Sequence, residues 1–199
     1  MCGRYHQAAP AERLGREFDL DIRENIAPRY NIAPTQAVAV VALDDKGKRR
    51  FTHMRWGFVP SWAKKDYLEK LAARPLINAR ADGVADKPTF RSAFKRRRCL
   101  VPATGFYEWS GEAGSKQPYA IVRAKTDLFA FAGVWETAVD ADGGEVDTVA
   151  IITTDAGPDL RALHHREPVV IAPDAYDFWL KTPERDASAT TSLLIAPPA

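Results

Sequence analysis

Short apolar or β-branched runs alternate with turn residues along this chain, at a spacing that reads mostly as strands. The runs cover residues 37–43, 51–56, 99–103, 118–123, 128–135, 147–153, 169–172 and 192–195. Asp44-Asp45-Lys46-Gly47 and Ala141-Asp142-Gly143-Gly144 read as hairpin loops. Apolar residues four apart mark helices at 10–18 (Leu14, Phe18) and 89–97 (Phe90, Phe94), the second behind Thr89 as N-cap. Shorter helices are expected at 158–163 and at 174–180, the latter opening on Asp174 as N-cap. Strands without regular βα alternation predict an α+β fold around a strongly bent sheet. No repeat or linker divides the 199 residues, so residues 1–199 read as a single domain. The Pro- and Ala-rich end, 183–199, reads as a loose tail.

Composition narrows the class. Apolar residues make up 46% and charged residues 27%, an ordinary globular mix. The longest apolar runs, 37–43 and 128–135, fall far short of the ~18 residues a membrane span needs. The opening MCGRYHQAAPAER contains no apolar signal core. Two cysteines, Cys2 and Cys99, make neither a disulfide framework nor a zinc site by themselves. These features point to a reducing, cytoplasmic setting. The net charge of +2 conceals an asymmetry: residues 1–100 carry 21 Lys/Arg against 11 Asp/Glu, whereas residues 101–199 carry 7 against 15. One face can therefore be basic and suit a phosphate backbone, unless the halves interleave and the charges mix.

Five stretches carry candidate chemistry. Initiator methionine is normally removed ahead of a small residue, which would make Cys2 the terminus. A terminal cysteine holds an amine and a thiol on adjacent carbons, both partly deprotonated near neutral pH. Toward an aldehyde, the amine forms a Schiff base and the thiol then closes a thiazolidine ring; toward an acyl group, the thiol attacks with the amine as base. In Ile77-Asn78-Ala79-Arg80 an extended backbone puts Asn78 and Arg80 on one face, an amide to orient a substrate and a guanidinium for a phosphate. Glu108 lies among Phe106, Tyr107 and Trp109, where desolvation disfavours its charge and suits it to acid–base work, unless it merely pairs with an arginine. His164 and His165 adjoin Arg166, Glu167 and Pro168; on irregular chain the two rings should point apart, leaving one to serve as acid or base. Without ligand-spaced partners neither is read as a metal ligand. Finally, Trp56 and Trp62 alternate with Arg55, Lys64 and Lys65, a pattern that can stack bases and meet phosphates, although a core role is open for either tryptophan. The run Lys95-Arg96-Arg97-Arg98 reads as a solvated helix end.

In order along the chain, Met1-Cys2-Gly3-Arg4-Tyr5, Arg29-Tyr30-Asn31-Ile32-Ala33-Pro34, Trp56-Gly57-Phe58-Val59-Pro60, Ile77-Asn78-Ala79-Arg80, Gly105-Phe106-Tyr107-Glu108-Trp109 and Leu163-His164 with Arg166 and Pro168 resemble the SRAP family of abasic-site processing proteins. The resemblance reaches to about Leu180. It implies a barrel-like antiparallel centre, a basic cleft for single-stranded DNA, no metal and no cofactor. It further implies capture of the ring-opened abasic aldehyde as a thiazolidine by Cys2, with Asn78 positioning the sugar, Glu108 relaying protons and His164 assisting ring opening and reversal. Arg4, Asn31, Arg80 and Arg166 would contact DNA, and Trp56 and Trp62 would pack against it. A monomer is expected, working in the DNA damage or SOS response beside replication-fork proteins and, in a bacterium, at the nucleoid. A peptidase activity that exposes Cys2, and lyase-like chemistry, belong to the same expectation. Glu167 departs from the pattern, because the family commonly has methionine there. Two other classes share some of these features: an N-terminal-nucleophile glutamine amidotransferase, in which Cys2 attacks a side-chain amide and Asn78 forms an oxyanion hole, and a non-catalytic single-strand binder.

Overall fold

The computed structural model describes residues 2–112, 114–124, 126–139 and 143–196. In chain order its elements are β1 (Arg4–Gln7), α1 (Ala11–Phe18), β2 (Arg29–Ile32), β3 (Ala37–Leu43), β4 (Arg49–Trp56), α2 (Lys65–Ala73), β5 (Asn78–Arg80), α3 (Arg91–Arg96), β6 (Arg98–Ala103), β7 (Gly105–Ser110), β8 (Gln117–Ile121), β9 (Phe129–Val139), β10 (Glu145–Asp155), α4 (Pro158–Arg161), β11 (Arg166–Pro168), β12 (Val170–Ile171) and α5 (Tyr176–Lys181), followed by a 3-10 helix, Glu184–Leu193.

Strands β4, β3, β6, β9 and β10 pair in that order, and β10 returns to β4, so five strands close into a barrel. The pairings are antiparallel except that β10 runs parallel to β4 and to β5. The sheet is therefore mixed, where an antiparallel one was expected. A second sheet, β2-β1-β7-β8, lies beside it. β3, β6, most of β9 and the middle of β10 are apolar on both faces and so read as continuous runs, whereas β4 buries only Met54 and Trp56. Val38, Val40, Met54, Trp56, Cys99, Val101, Phe131, Val149 and Ile151 form one buried cluster, joined by Tyr5 and Phe106 of the small sheet. The alternate residues Val41, Leu100, Ala132, Ala150 and Ile152 pack with Leu14 and Phe18 of α1, Phe94 of α3 and Trp179 of α5. Eight strands leave room only for side chains inside a barrel, and five leave less, so the set that meets helices faces outward.

Local chemistry explains the elements. The β3–β4 loop closes as expected: Asp44 accepts from the amides of Lys46 and Lys48, and Gly47 takes φ 73°. The residues Ala141 and Asp142 of the other expected loop lie outside the described residues. Neither Thr89 nor Asp174 caps a helix. Phe90 holds the N-cap of α3, and Asp174 lies in the 3-10 turn Pro173–Ala175 ahead of α5. The run Lys95–Arg98 begins solvated, as expected, at Lys95 and Arg96, and turns inward through half-buried Arg97 to Arg98. Arg96 pairs with Glu184, Arg97 pairs with Glu136, and Arg98 is buried. The Arg98 guanidinium donates to the carbonyls of Phe94 and Lys95 at the end of α3 and of Trp179 and Thr182 at the end of α5. It thus ties two helix C-termini to β6. Burial lowers this guanidinium to about 10, which leaves it charged at neutral pH.

The C-terminal expectations need correction. Residues 192–195 form no strand, and the chain from Glu184 to Leu193 is a 3-10 helix packed on α3 rather than a loose tail. Ala187, Thr190 and Leu194 are buried. The hydroxyls of Thr190, Thr191 and Ser192 each donate to the carbonyl three residues earlier, satisfying groups that the segment's irregular geometry exposes. The rest of the tail, 197–199, lies outside the described residues. Among the described residues no helix is long and apolar enough to cross a membrane.

Gly133 lies where β9 pairs with Cys99 of β6 on one side and Ile151 of β10 on the other. A Cβ there would approach the Cys99 Sγ to 2.8 Å and a Val101 methyl to 3.3 Å. Gly133→Ala is expected to lose about 1–3 kcal/mol through overpacking. Cys99→Ala in the same chain should recover part of that loss. Urea unfolding of the single and double variants measures both.

Candidate active site

Four separated stretches of the chain meet beside the small sheet. Cys2 leads directly into β1, which pairs with β7 so that Arg4 faces Tyr107, Tyr5 faces Phe106 and His6 faces Gly105. That pairing places Glu108, the next residue of β7, alongside the start of the chain. Cys2 is fully buried, and its thiol lies 3.8 Å from the Arg4 carbonyl. Burial pushes this thiol well above the ordinary thiol range, and the negative charge of Glu108 pushes it further. A thiol so held is protonated and a weak nucleophile.

Asn78 comes from β5, held in register on β10 with Asn78 opposite Ile151. Its Nδ2 donates to the Cys2 carbonyl at 3.0 Å, a bridge over 76 residues of sequence. The Asn78 Oδ1 is buried and has no hydrogen-bond partner among the described residues. Trp56 braces this strand from below. Its indole Nε1 donates 2.9 Å to the Ile77 carbonyl, which also accepts the Ile151 amide at 3.0 Å. Trp56 is fully buried between these groups and Tyr5, so it presents no face to a base.

His164 follows α4. Its Nδ1 lies 2.9 Å from the Arg166 amide and 3.1 Å from the Arg166 carbonyl. The amide can donate to a bare Nδ1, and the carbonyl can accept from a protonated one. The ring is thus held in one orientation through a protonation cycle, which suits a group that shuttles protons. Desolvation lowers its pKa below the ordinary imidazole value, opposed by the charge of Glu108. The carboxylate of Glu108, itself buried, is therefore felt at both the Cys2 thiol and the His164 ring. His165 does not point away, as irregular chain alone predicts: the two imidazoles stack at 4.3 Å and 25°, with His165 on the exposed side.

The expected DNA-contact residues divide. Arg4 and Asn31 are joined at the surface, Nη1 to Oδ1 at 2.8 Å. Arg80 is exposed and forms a two-point pair with Asp82, at 3.1 and 2.9 Å. Trp62 is half exposed and lies 4.9 Å from the Tyr67 ring. Arg166 is committed inward: it is buried, bonded to Asp155 at 2.8 Å and to the Thr153 carbonyl, and spans the β10–β11 pair. The sequence reading gave no role to Tyr30, which is 65% exposed next to Asn31, its carbonyl accepting from the Tyr107 hydroxyl at 2.8 Å. Only the neighbouring Arg4–Asn31 pair marks it, and that pairing is not visible in sequence. No group of three or more His, Cys, Asp or Glu suited to a metal is gathered among the described residues.

Comparison with known proteins places this arrangement. The family model for SOS response associated peptidase (SRAP) matches residues 1–199. Abasic site processing protein YoaM of Bacillus subtilis is 34% identical over 199 residues, covering 98% of this chain and 86% of that protein. Abasic site processing protein YedK of Escherichia coli is 30% identical over 187 residues, covering 91% and 80%. Abasic site processing protein HMCES of Gallus gallus is 32% identical over 230 residues, covering 94% and 68%. A crystal structure of a protein from Bordetella bronchiseptica superposes with a TM-score of 0.85 at 25% identity, over 100% of this chain and 95% of that one. The family match covers the full length and the named relatives match most of this chain: this chain belongs to the SRAP family.

Proposed function

We propose that this protein processes abasic sites by covalent capture of their ring-opened aldehyde in single-stranded DNA. The observation that supports this most is the convergence of Cys2, Asn78, Glu108 and His164 from β1, β5, β7 and the turn after α4. The names of its relatives point the same way, and its family's printed description connects it with the SOS response. The chemistry requires a free amine on residue 2, obtained by hydrolysis of the peptide bond ahead of it. The amine adds to the C1′ aldehyde and expels water, leaving an imine. The thiol then adds across the imine, sulfur to carbon and proton to nitrogen, so that one water is lost overall. Because burial holds the thiol protonated, the amine attacks first and the thiol gives its proton to a neighbouring base as it closes the ring. Glu108, whose charge already acts on this thiol, takes it. The neutral His164 ring takes the proton of the sugar's anomeric hydroxyl as the C1′–O4′ bond breaks and passes it to O4′, which becomes a hydroxyl; on reversal the same transfer runs backwards. Asn78, fastened to the Cys2 carbonyl, fixes the nucleophile's direction.

DNA is held by the exposed groups. The Arg80–Asp82 pair is a surface pair worth about 0–1 kcal/mol, cheap to exchange for a phosphate. Arg4, Asn31 and Tyr30 form a second contact, and Trp62 with Tyr67 offers a stacking face. Buried Trp56 and Arg166 support the site from behind, Trp56 through the Ile77 carbonyl and Arg166 through its backbone clasp on His164.

Three outcomes follow. Cys2→Ala is expected to bind single strands within a few-fold of the natural protein and to form no heat-stable crosslink on a denaturing gel, while Cys99→Ser crosslinks normally. A stable crosslink from Cys2→Ala at full yield overturns the assignment. Release of ammonia from glutamine without a crosslink would instead indicate the amidotransferase, and binding alone the plain binder. Arg4→Ala and Arg80→Ala should each weaken binding alike across sequences and lower the salt slope by roughly 0.7 for each phosphate left without its arginine. Titration by fluorescence anisotropy at several salt concentrations measures this.

The third outcome concerns pH. His164 has a lowered pKa, so its neutral form persists to more acidic pH than free imidazole would allow. The free-amine fraction also falls with pH, so the His164 contribution is read as the ratio of the natural rate to the His164→Ala rate, and that ratio should hold as pH falls past the ordinary imidazole value and decline only below it. His164→Ala should slow formation by more than tenfold, because general acid–base groups contribute roughly 10²–10⁴-fold. His165→Ala should cost only a few-fold, through removal of the ring stack. A time course between pH 5 and 8 that finds His165→Ala slow and His164→Ala normal would reverse the two assignments.

A further inference from the structure

Glu167 is a buried carboxylate only 4% exposed, one residue beyond the arginine that clasps His164. Its Oε1 accepts the Gly157 amide at 2.8 Å. Gly157 is the N-cap of α4, the single turn that carries the chain to His164. From there the bonds continue without a break. The Gly157 carbonyl accepts the amides of Leu160 and Arg161 at 3.2 and 3.0 Å, and the Leu160 carbonyl accepts the His164 amide at 2.8 Å. The His164 Nδ1 accepts the Arg166 amide, and Glu167 follows directly in the chain. A closed circuit of hydrogen bonds and covalent chain therefore runs from the Glu167 carboxylate through α4 to the imidazole and back. The fit at its entrance is close, since a Cβ on Gly157 would lie 3.3 Å from the Glu167 Oε1.

The rest of the circuit is backbone, together with the imidazole itself. Glu167 is the one other side chain in this circuit; outside it, the Arg161 guanidinium also ties α4 to the Ala156 carbonyl, at 3.3 and 3.1 Å. β10 and β11 hold the two ends of the excursion: Asp155 pairs with Arg166, Thr154 with Glu167, and the Ala156 amide donates to the His165 carbonyl. These bonds fix where the turn starts and stops. The Gly157 amide lies beyond the ladder, at the first position where α4 could pivot. We propose that Glu167 is a positioning residue that sets the orientation of α4 and thereby the placement of the His164 ring. This rests on the reading of His164 as the proton carrier given above.

Charged groups face this carboxylate from two other elements. Asp159 on α4 opposes its ionisation and Arg123, after β8, favours it, while burial raises its pKa and the Gly157 bond lowers it. The ionised form is the better acceptor for the amide. Glutamine keeps an acceptor oxygen of the same reach, whereas methionine keeps the volume and loses the acceptor, leaving the Gly157 amide unpaired.

The test compares Glu167→Gln and Glu167→Met with the natural protein. Two readouts are used: the rate of crosslink formation on abasic single-stranded DNA, and the imidazole titration of His164 followed by NMR. Glu167→Met is expected to form crosslink at least fivefold more slowly, to bind an intact single strand as before, and to shift the His164 titration. Glu167→Gln should stay within twofold in rate. Gly157→Pro removes the donor at the other end, and the observed φ of −68° accepts a proline ring. It should reproduce the Met variant, and it carries the comparison if that variant does not fold. An unchanged rate and an unchanged His164 titration in the acceptor-free or donor-free variant overturn the proposal. If the natural protein forms no crosslink at all, the functional reading fails separately. The His164 titration then decides the positioning role alone, a shift supporting it and its absence refuting it.

Discussion

Both edges of β10 are occupied along most of its length, and each neighbour brings one part of the site. On one edge β4 pairs at Thr148 and Val149, then β5 takes over at Ile151 to Thr153 and brings Asn78. On the other, β9 pairs up to Ile151 and β11 follows at Thr153 to Asp155, bringing the turn with His164. Thr153 is shared by Arg80 and Pro168. A strand's side-chain period is two, so a slip of one residue in any of these pairings would turn Asn78 away from Cys2. Closure of the barrel protects against such a slip, because β9 is locked between β6 and β10 at Gly133, where no larger residue fits without displacing Cys99 or Val101.

Onto that frame the small sheet adds Cys2, the proposed nucleophile, and Glu108. β1 and β7 are neighbours, so Cys2 and Glu108 reach one another through ladder geometry rather than through long side chains. Burial then sets their chemistry. A fully covered thiol beside a carboxylate resists ionisation, which keeps Cys2 quiet toward oxidants and stray electrophiles. In the proposed reaction, reactivity is deferred until an aldehyde has reached the amine. The same desolvation lowers His164, so the site rests with a neutral imidazole and a protonated thiol. The groups proposed to meet DNA remain outside this chamber, in the surface pairs Arg4–Asn31 and Arg80–Asp82.

Much of this was legible in the residues. Strands 37–43 and 99–103 announce themselves because they are largely buried on both faces and apolar throughout, and 147–153 does so through its apolar centre, Val149 to Ile152. The strands that build the site do not. β1, β2, β5 and β11 are three or four residues long and read RYHQ, RYNI, NAR and REP, polar sequences held as strands by their partners. The helix Lys65–Ala73 is equally hidden, because only Leu71 is buried on it and its basic residues suggest DNA contact instead. Trp56 and Arg166 look like ligands in sequence, since an aromatic beside arginine and an arginine beside histidine suit nucleic acid equally well. Their burial against Ile77 and Thr153 was decided elsewhere in the chain.

The sequence by itself determined the family, the apolar strands, the α+β class and the residue types a cysteine-based aldehyde capture would use, because those are properties of local pattern and of ordered motifs. Only the tertiary structure decided which side chains face inward, that His164 and His165 stack rather than diverge, that the sheet is mixed, and that the chain beyond Pro183 folds back onto α3. The physical reason is the same throughout. Desolvation and register depend on partners far away in sequence, as with Asn78 and Cys2, and no local window contains both members of such a pair.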